Sequence, residues 1–341
     1  MKNVALIGIG KMGLSHLAIA NNTSDIKIVA ICDTSLKILR LINKYWYIKS
    51  FTDYKTMIKE VDIDAILICT PNSTHFSIAK YCIKRGKCIF IEKPLSTKYI
   101  NSKELISLTQ QFNVKGQVGY TNRFNIIFQY LKKILDQGVI GKINSYHNQM
   151  IGGVIIKENS DGWRNDYSKG GGCLFDYGSH CFDLSIYLFG EDVKVISSSL
   201  EKMFSSRVYD TVSAKFIHNN SVIGINYINW SDRGVRKANN SIKIEGTKGL
   251  IKSNKQEITI ELKKERPDLS LIKGLNKIYV TDIPIKIDYY LRGEDYSMQM
   301  IEFSKLINNK IESSTSNLES ASIADKCIDA IIRQNNINIS C

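Results

Sequence analysis

One segment of the chain concentrates residues able to move a proton. After Gly170-Gly171-Gly172 come Asp176, His180 and Asp183, at spacings of four and three. On a helix those spacings place three side chains in one stripe. Leu174, Tyr177, Cys181, Leu184 and Leu188 form an apolar stripe beside it, so the spacing predicts a helix over Cys173 to Phe189. Carboxylates one turn either side of an imidazole raise its pKa and fix its orientation. A histidine held in this way is suited to take a proton from a hydroxyl. Of the five histidines, His180 alone has carboxylates at helical spacing on both sides. Taken alone, the segment reads equally well as a solvated Asp–His edge beside a glycine-rich loop.

A second set of residues suits a phosphate-bearing ligand. The apolar run Val4 to Ile7 ends at Gly8-Ile9-Gly10-Lys11-Met12-Gly13, and a helical pattern follows through Leu14, Leu17, Ala18 and Ala20. The next apolar run, Ile28 to Cys32, ends at Asp33, 20 positions after Gly13. A GxGxxG alone is weak. A strand before it, a helix after it and an acid at the end of the second strand complete the dinucleotide fingerprint. Gly8 allows the tight turn, Gly10 lets backbone approach a pyrophosphate, and Gly13 lets helix and strand pack closely. The helix N-terminus offers N–H groups and a positive dipole to phosphates. Asp33 suits the ribose hydroxyls and would repel a 2′-phosphate, and no arginine follows it directly. The expected cofactor is therefore NAD in preference to NADP.

The elements that must position these residues alternate through the first 120 positions. Ala65 to Cys69 is an apolar run that stops at Thr70-Pro71-Asn72, and a helix is predicted from His75 to Arg85, closed by Gly86. Cys88 to Ile91 stops at Glu92-Lys93-Pro94. A helix through Leu105 and Leu108 leads to a last strand, Gln117 to Tyr120. Short apolar runs alternating with helices imply a parallel sheet covered on both faces. Its carboxyl edge forms a ligand crevice, where Thr70, Asn72, His75 and Lys93 would stand. Pro94 restricts Lys93 to extended backbone, from which the amine can reach the ring end of a nicotinamide. By position alone, a solvated loop lysine is an equal reading.

The 341 residues are 43% hydrophobic and 23% charged, with four prolines, which excludes collagen-like, mucin-like and wholly disordered chains. No apolar run reaches the roughly 18 to 20 residues of a membrane span. The start reads as a strand and not as a secretion signal, so a cytoplasmic protein is expected. The net charge of +13 comes with 36 lysines to 10 arginines and abundant Ile and Asn, a pattern of AT-rich coding. The stretch Arg236 to Lys277 alternates 11 basic with 5 acidic residues, which reads as a solvated sheet face and not a nucleic-acid surface. None of the eight cysteines forms a CxxC pair, so no zinc or thioredoxin motif is expected. Cys32 and Cys69 read as buried thiols.

The chain resembles the Gfo/Idh/MocA family of glucose–fructose oxidoreductases, inositol dehydrogenases and rhizopine-catabolism proteins. The resemblance rests on Gly8 to Gly13, Asp33, Thr70-Pro71-Asn72 with His75, and Glu92-Lys93-Pro94. It continues through Gly119-Tyr120 with Arg123-Phe124, Trp163-Arg164, and the block Gly170 to Asp183. It implies an α/β fold: an N-terminal Rossmann domain with a doubly wound parallel sheet over 1–122, and a C-terminal α/β domain with a large, mostly antiparallel open sheet over 123–341. Strand-like runs at Asn144 to Met150, Val193 to Leu200, Thr211 to Ile217, Val222 to Trp230, Ser241 to Glu245 and Glu257 to Leu262 would supply the second sheet. The resemblance makes Lys93, Asp176 and His180 the catalytic group. It gives the cofactor the Gly8–Gly13 loop, Asp33, Thr70, Pro71, Asn72, His75, Glu92 and Lys93.

The implied activity is NAD-dependent hydride transfer at a secondary alcohol of a sugar, sugar nucleotide or cyclitol, without a metal. Two alternatives share the fold: a glycosidase-type enzyme that recycles bound NAD, and a non-catalytic NAD(H)-binding regulator. Arg123, Trp163, Arg164, Asp176 and His180 are the expected substrate contacts, with Lys157, Arg233, Arg236, Tyr167, Tyr289, Tyr290 and Arg292 as further candidates. The arginines favour a nucleotide-linked or carboxylated sugar over a neutral polyol. A homodimer or homotetramer through the C-terminal sheet is expected, with no membrane or nucleic-acid partner.

Overall fold

The computed structural model describes residues 1–154, 163–219, 221–232, 234–235 and 237–337. Lys157, Arg233 and Arg236 lie outside the described residues. The chain forms two compact units, Met1–Thr121 with Ile287–Ser322, and Asn122–Lys286 with Ile323–Cys341. Among the described residues, no helix is long and apolar enough to cross a membrane.

Unit 1 alternates strand and helix: β1 (Lys2–Ile7), α1 (Lys11–Asn21), β2 (Ile26–Cys32), α2 (Leu36–Tyr45), β3 (Lys49–Phe51), α3 (Tyr54–Glu60), β4 (Ala65–Ile68), α4 (Asn72–Ile83), β5 (Cys88–Ile91), α5 (Tyr99–Gln111) and β6 (Gly116–Val118). The six strands form a parallel sheet in the order β3-β2-β1-β4-β5-β6. Every residue of β4 is buried, as in a strand covered on both faces. β1 pairs with both β2 and β4, so the order reverses beside it. Ile7 lies opposite Cys32 on one side and Ile68 on the other. The carboxyl ends of three strands thus bring the Gly8 turn, Asp33 and Thr70 to one edge.

One helix begins earlier than expected, and one strand is additional to those expected. Pro71, with φ −60°, stands at the N-cap of α4, so the helix starts at Asn72 and takes Asn72 and His75 into its first turn. β3 is a three-residue edge strand without a fully buried position, too short to register as an apolar run. The expected cut after residue 122 leaves Ile287–Ser322 with the second domain; in the structure they pack in unit 1. There the helix Glu294–Ile307 inserts Met300, Phe303, Leu306 and Ile307 into the apolar cluster of Val4, Leu6 and Phe90.

Unit 2 contains α6 (Ile126–Asp136), β7 (Ile143–Ile151), a π-helical turn (Leu174–Gly178), α7 (Ser179–Phe189), β8 (Val193–Glu201), β9 (Thr211–His218), β10 (Ile223–Asn229), β11 (Asn239–Gly246), β12 (Gly249–Asn254), β13 (Glu257–Leu262) and β14 (Gly274–Tyr279). The strands form one sheet in the order β14-β13-β12-β11-β7-β10-β9-β8. Only β7 and β10 pair in parallel; the other neighbours are antiparallel. Alternation sets its faces. Tyr146, Asn148, Asn226, Ile228, Ile242 and Ile244 are buried, while His147, Ile223, Ile225 and Lys243 are exposed. Leu131, Ile134 and Leu135 of α6 and Leu184 and Leu188 of α7 share the buried core with Ile242, Ile251 and Ile260.

Candidate active site

The cofactor end of unit 1 is built on three glycines, two of which cannot take a side chain without collision. Gly8 has φ +91°, and a Cβ there would lie 2.7 Å from the Cys69 carbonyl oxygen. A Cβ on Gly13 would lie 1.9 Å from the Gly8 carbonyl oxygen, so helix and turn are in direct backbone contact. A Cβ on Gly10 would meet nothing within 4 Å, which leaves that face of the turn open. Ile9 anchors the turn by a fully buried side chain, while Lys11 is exposed and Met12 half-buried. α1 has Gly10 at its N-cap, no side-chain cap and no acid in its first turn. A helix start of this kind suits phosphate oxygens. Asp33 accepts the Ile9 N–H at 2.6 Å through one oxygen and the Ser35 N–H at 2.8 Å through the other. Its carboxylate therefore braces the glycine turn and keeps lone pairs for ribose hydroxyls.

The ends of β4 and β5 are tied to each other. His75 is fully buried, and its two ring nitrogens lie 2.8 Å from the Pro94 carbonyl and 3.0 Å from the Thr70 carbonyl. Burial holds its pKa below the usual value, against the pull of those carbonyls. His75 thus ties the loop after β4 to the loop after β5. Thr70 accepts the Thr74 hydroxyl at 2.7 Å, Asn72 is buried and Pro71 is exposed. Lys93 is half-buried, and its N–H donates to Glu92 Oε2 at 3.3 Å. The other oxygen, Oε1, lies 2.6 Å from Nε2 of His16. Tyr289 and Arg292 pack against α1: the Tyr289 hydroxyl lies 2.5 Å from that of Thr23, and Arg292 donates to Ser15 at 3.0 Å. Tyr290 is exposed.

In unit 2 the expected single helix is broken into a π turn and α7. Asp176 lies within the π turn and His180 in the first turn of α7. Asp176 is 7% exposed, and one oxygen accepts Arg164 Nε at 3.1 Å. Arg164 also stacks over Trp163, 4.7 Å from the ring centroid. Gly171 is required here, since its Cβ would lie 2.5 Å from the carbonyl oxygens of both Trp163 and Arg164. His180 is half-buried. Tyr167 stands edge-on to Phe175 and Tyr209, in the wall behind this turn.

Asp183 and Arg123 are used differently from expectation. Asp183 is fully buried and takes Arg123 Nε at 3.0 and 3.1 Å and Nη2 at 2.7 Å. Arg123 is 3% exposed. The second carboxylate of the predicted stripe therefore serves a buried ion pair. The extra residue in the π turn changes the helical phase, so spacings counted on a regular helix do not carry through it.

A sequence profile of the oxidoreductase family with an NAD-binding Rossmann fold matches residues 2–120, and one of the GFO/IDH/MocA C-terminal domain matches residues 128–252. The chain belongs to the Gfo/Idh/MocA oxidoreductase family. Among its relatives, the myo-inositol 2-dehydrogenase of Thermotoga maritima is 27% identical over 273 residues, 78% of this chain and 79% of that one. The inositol 2-dehydrogenase of Rhizobium meliloti is 26% identical over 264 residues, 75% of this chain and 77% of that one. A solved structure of levoglucosan dehydrogenase in complex with NADH and levoglucosan is similar in fold, with TM-score 0.85, 22% identity and coverage of 100% of both chains.

This Gfo/Idh/MocA chain is an oxidoreductase with NAD as its cofactor, and the open face at Gly10, the uncapped α1 and the carboxylate of Asp33 fit that cofactor. One polar residue of its crevice escapes sequence reasoning. His16 follows Gly13 by three positions within a helix of low amphipathic contrast, and only the fold brings it to Glu92, 76 residues away.

Proposed function

We propose that the protein catalyses reversible hydride transfer between NAD and a secondary alcohol of a neutral sugar or cyclitol. The observation that carries this reading is the buried Asp176 carboxylate, held by Arg164 one turn before the half-buried His180. NAD held by the Gly8–Gly13 turn and Asp33 would supply the hydride acceptor. His180 takes the hydroxyl proton as the C–O bond becomes a carbonyl, and returns it in the reverse direction. Asp176, one turn before it, orients His180. Lys93 stabilises the negative charge developing on the oxygen. The Gly8–Gly13 turn, Asp33, Thr70, Asn72 and Glu92 hold or brace the cofactor's site.

The choice of a neutral substrate departs from the arginine count. Arg123 is committed to Asp183 and Arg164 to Asp176, so two of the expected anion contacts already face carboxylates. The relatives named as inositol 2-dehydrogenases point the same way. We also propose a homo-oligomer, supported by Ile223, Ile225 and Leu275 on the exposed face of the eight-stranded sheet.

The test is absorbance at 340 nm with NAD and a panel of cyclitols, free sugars, anhydrosugars and UDP-sugars. NADH formation with a neutral polyol, lowered roughly 10²- to 10⁴-fold in His180→Ala, is the expected result. Turnover of UDP-sugars alone would overturn the substrate class. Tightly held NAD(H) without net turnover would favour internal recycling, and no turnover with weakly bound NAD would favour a regulator.

A further inference from the structure

Beneath the Lys93 turn lies a pair of buried ionisable groups, His16 and Glu92, and the proposed chemistry leaves His16 without a task. His16 projects from α1 toward the sheet and is fully buried. The Phe90 ring meets it edge-on with centroids 5.0 Å apart, and Tyr296 lies at 6.2 Å. Its Nε2 is 2.6 Å from Glu92 Oε1, while Nδ1 is buried with no hydrogen-bond partner among the described residues. A proton on Nδ1 would be a buried donor without an acceptor, so the ring proton belongs on Nε2 and is donated to Glu92.

Glu92 is confined on its other sides. A Cβ on Gly119 would lie 3.3 Å from its carboxylate, so a larger residue after β6 would press on it. Burial raises the Glu92 carboxyl, but the His16 hydrogen bond and the nearby Lys93 charge bring it below its usual value. Other ionisable groups stand around it. Burial and then the Glu92 charge push the Cys69 thiol well up and the Tyr296 hydroxyl to about 12, and Arg292 stacks over Tyr296 at 5.1 Å. Glu92 is thus the anion of the cluster, and the Lys93 N–H donates to its second oxygen.

We propose that His16 is a positioning residue for Lys93, acting through Glu92. It supplies the donor that keeps Glu92 ionised and in one orientation, and Glu92 in turn fixes the backbone of Lys93 and places a negative charge beside it. The inference rests on the proposed catalytic role of Lys93. Without the His16 donor, Glu92 is a desolvated carboxyl whose burial is no longer offset, and it takes up a proton at higher pH.

The experiment compares His16→Leu, His16→Gln, Glu92→Gln and Lys93→Ala in the full-length enzyme. The readouts are kcat, KM, NADH fluorescence titration, thermal melting and the pH profile. His16→Leu is expected to lower kcat roughly 10- to 100-fold, the rate equivalent of one hydrogen bond to a charged group. NADH affinity should stay within about threefold, and the acid limb of kcat should move up by about one pH unit or more. His16→Gln, whose amide can still donate to Glu92, should recover most of the rate. In kcat, Glu92→Gln should match His16→Leu, and the two together should cost little more than either. Parental kcat and pH profile in His16→Leu, with Lys93→Ala inactive, would overturn the role of His16 and leave Lys93 in place. Parental turnover in Lys93→Ala would instead remove the reading on which the inference rests. Equal losses in His16→Leu and His16→Gln would overturn it too, since then the ring's packing and not its donor matters. If His16→Leu neither melts cooperatively nor binds NADH, Glu92→Gln decides: parental kcat there refutes the proposal.

Discussion

Removing one partner of the Arg123–Asp183 pair should be far more damaging than removing both. The pair makes contacts of 2.7, 3.0 and 3.1 Å with side chains 3% and 0% exposed. Burial pushes the Asp183 carboxyl above its usual range even with the Arg123 charge beside it. The desolvation of the two charges therefore outweighs their attraction, and the pair is not a net source of stability. Asp183→Asn leaves a guanidinium in a dry site without a counter-charge, which costs about 3–5 kcal/mol. In a unit of about 180 residues each kcal/mol moves melting by about 2–4 °C, so the transition should fall by roughly 6–20 °C. The double change Arg123→Met with Asp183→Leu should restore most of that loss, because neither charge is left alone. Differential scanning calorimetry measures the melting, and KM for the substrate is read on the same proteins. An Asp183→Asn protein melting within about 2 °C of the parent would refute the reasoning, as would a double variant no more stable than the single one. A recovered melting point with KM raised more than about tenfold would assign Arg123 to the substrate instead.

Gly13→Ala should abolish measurable NADH binding in a fluorescence titration, because its methyl group would lie 1.9 Å from a backbone oxygen that cannot yield. Gly10→Ala, with open space at its Cβ, should melt with the parent and weaken NADH binding alone; a lowered melting point there would contradict the open face. Ile225→Lys, on the exposed face of the eight-stranded sheet, should shift the species seen by light scattering toward the monomer, and an unchanged mass would move the interface elsewhere.

The parallel sheet was legible because its strands are buried on both faces and so read as unbroken apolar runs. The glycine turn was legible because its spacing reflects contacts between residues a few positions apart. The same local reach explains what escaped. The edge strands β3 and β14 lack a continuous apolar run, and β12 follows β11 after a two-residue turn. Asp176 and His180 stand out by spacing, but the π turn has no sequence period of its own, and Asp183 therefore looked like a partner for His180. Its actual partner, Arg123, lies 60 residues earlier, and that of His16 lies 76 residues later. Pairs so far apart leave no periodic trace, and only the folded chain brings them together.

The return of Ile287–Ser322 to unit 1 sets an order on biosynthesis. The Val118 N–H donates to the Ser316 carbonyl at 2.8 Å, the Gln117 amide to the Gln299 carbonyl at 2.8 Å, and Phe303 stands edge-on to Phe90 at 5.7 Å. A nascent chain leaving the ribosome can assemble six strands early, yet the free edge of β6 and the apolar surface around Phe90 stay uncovered until Phe303 and Ser316 have been made. An uncovered edge strand is a template for pairing with other chains. A gene fragment ending near residue 122 would therefore encode a sticky torso and not a stand-alone domain, and a cofactor-binding module cut from this protein would need the segment Ile287–Ser322 grafted back.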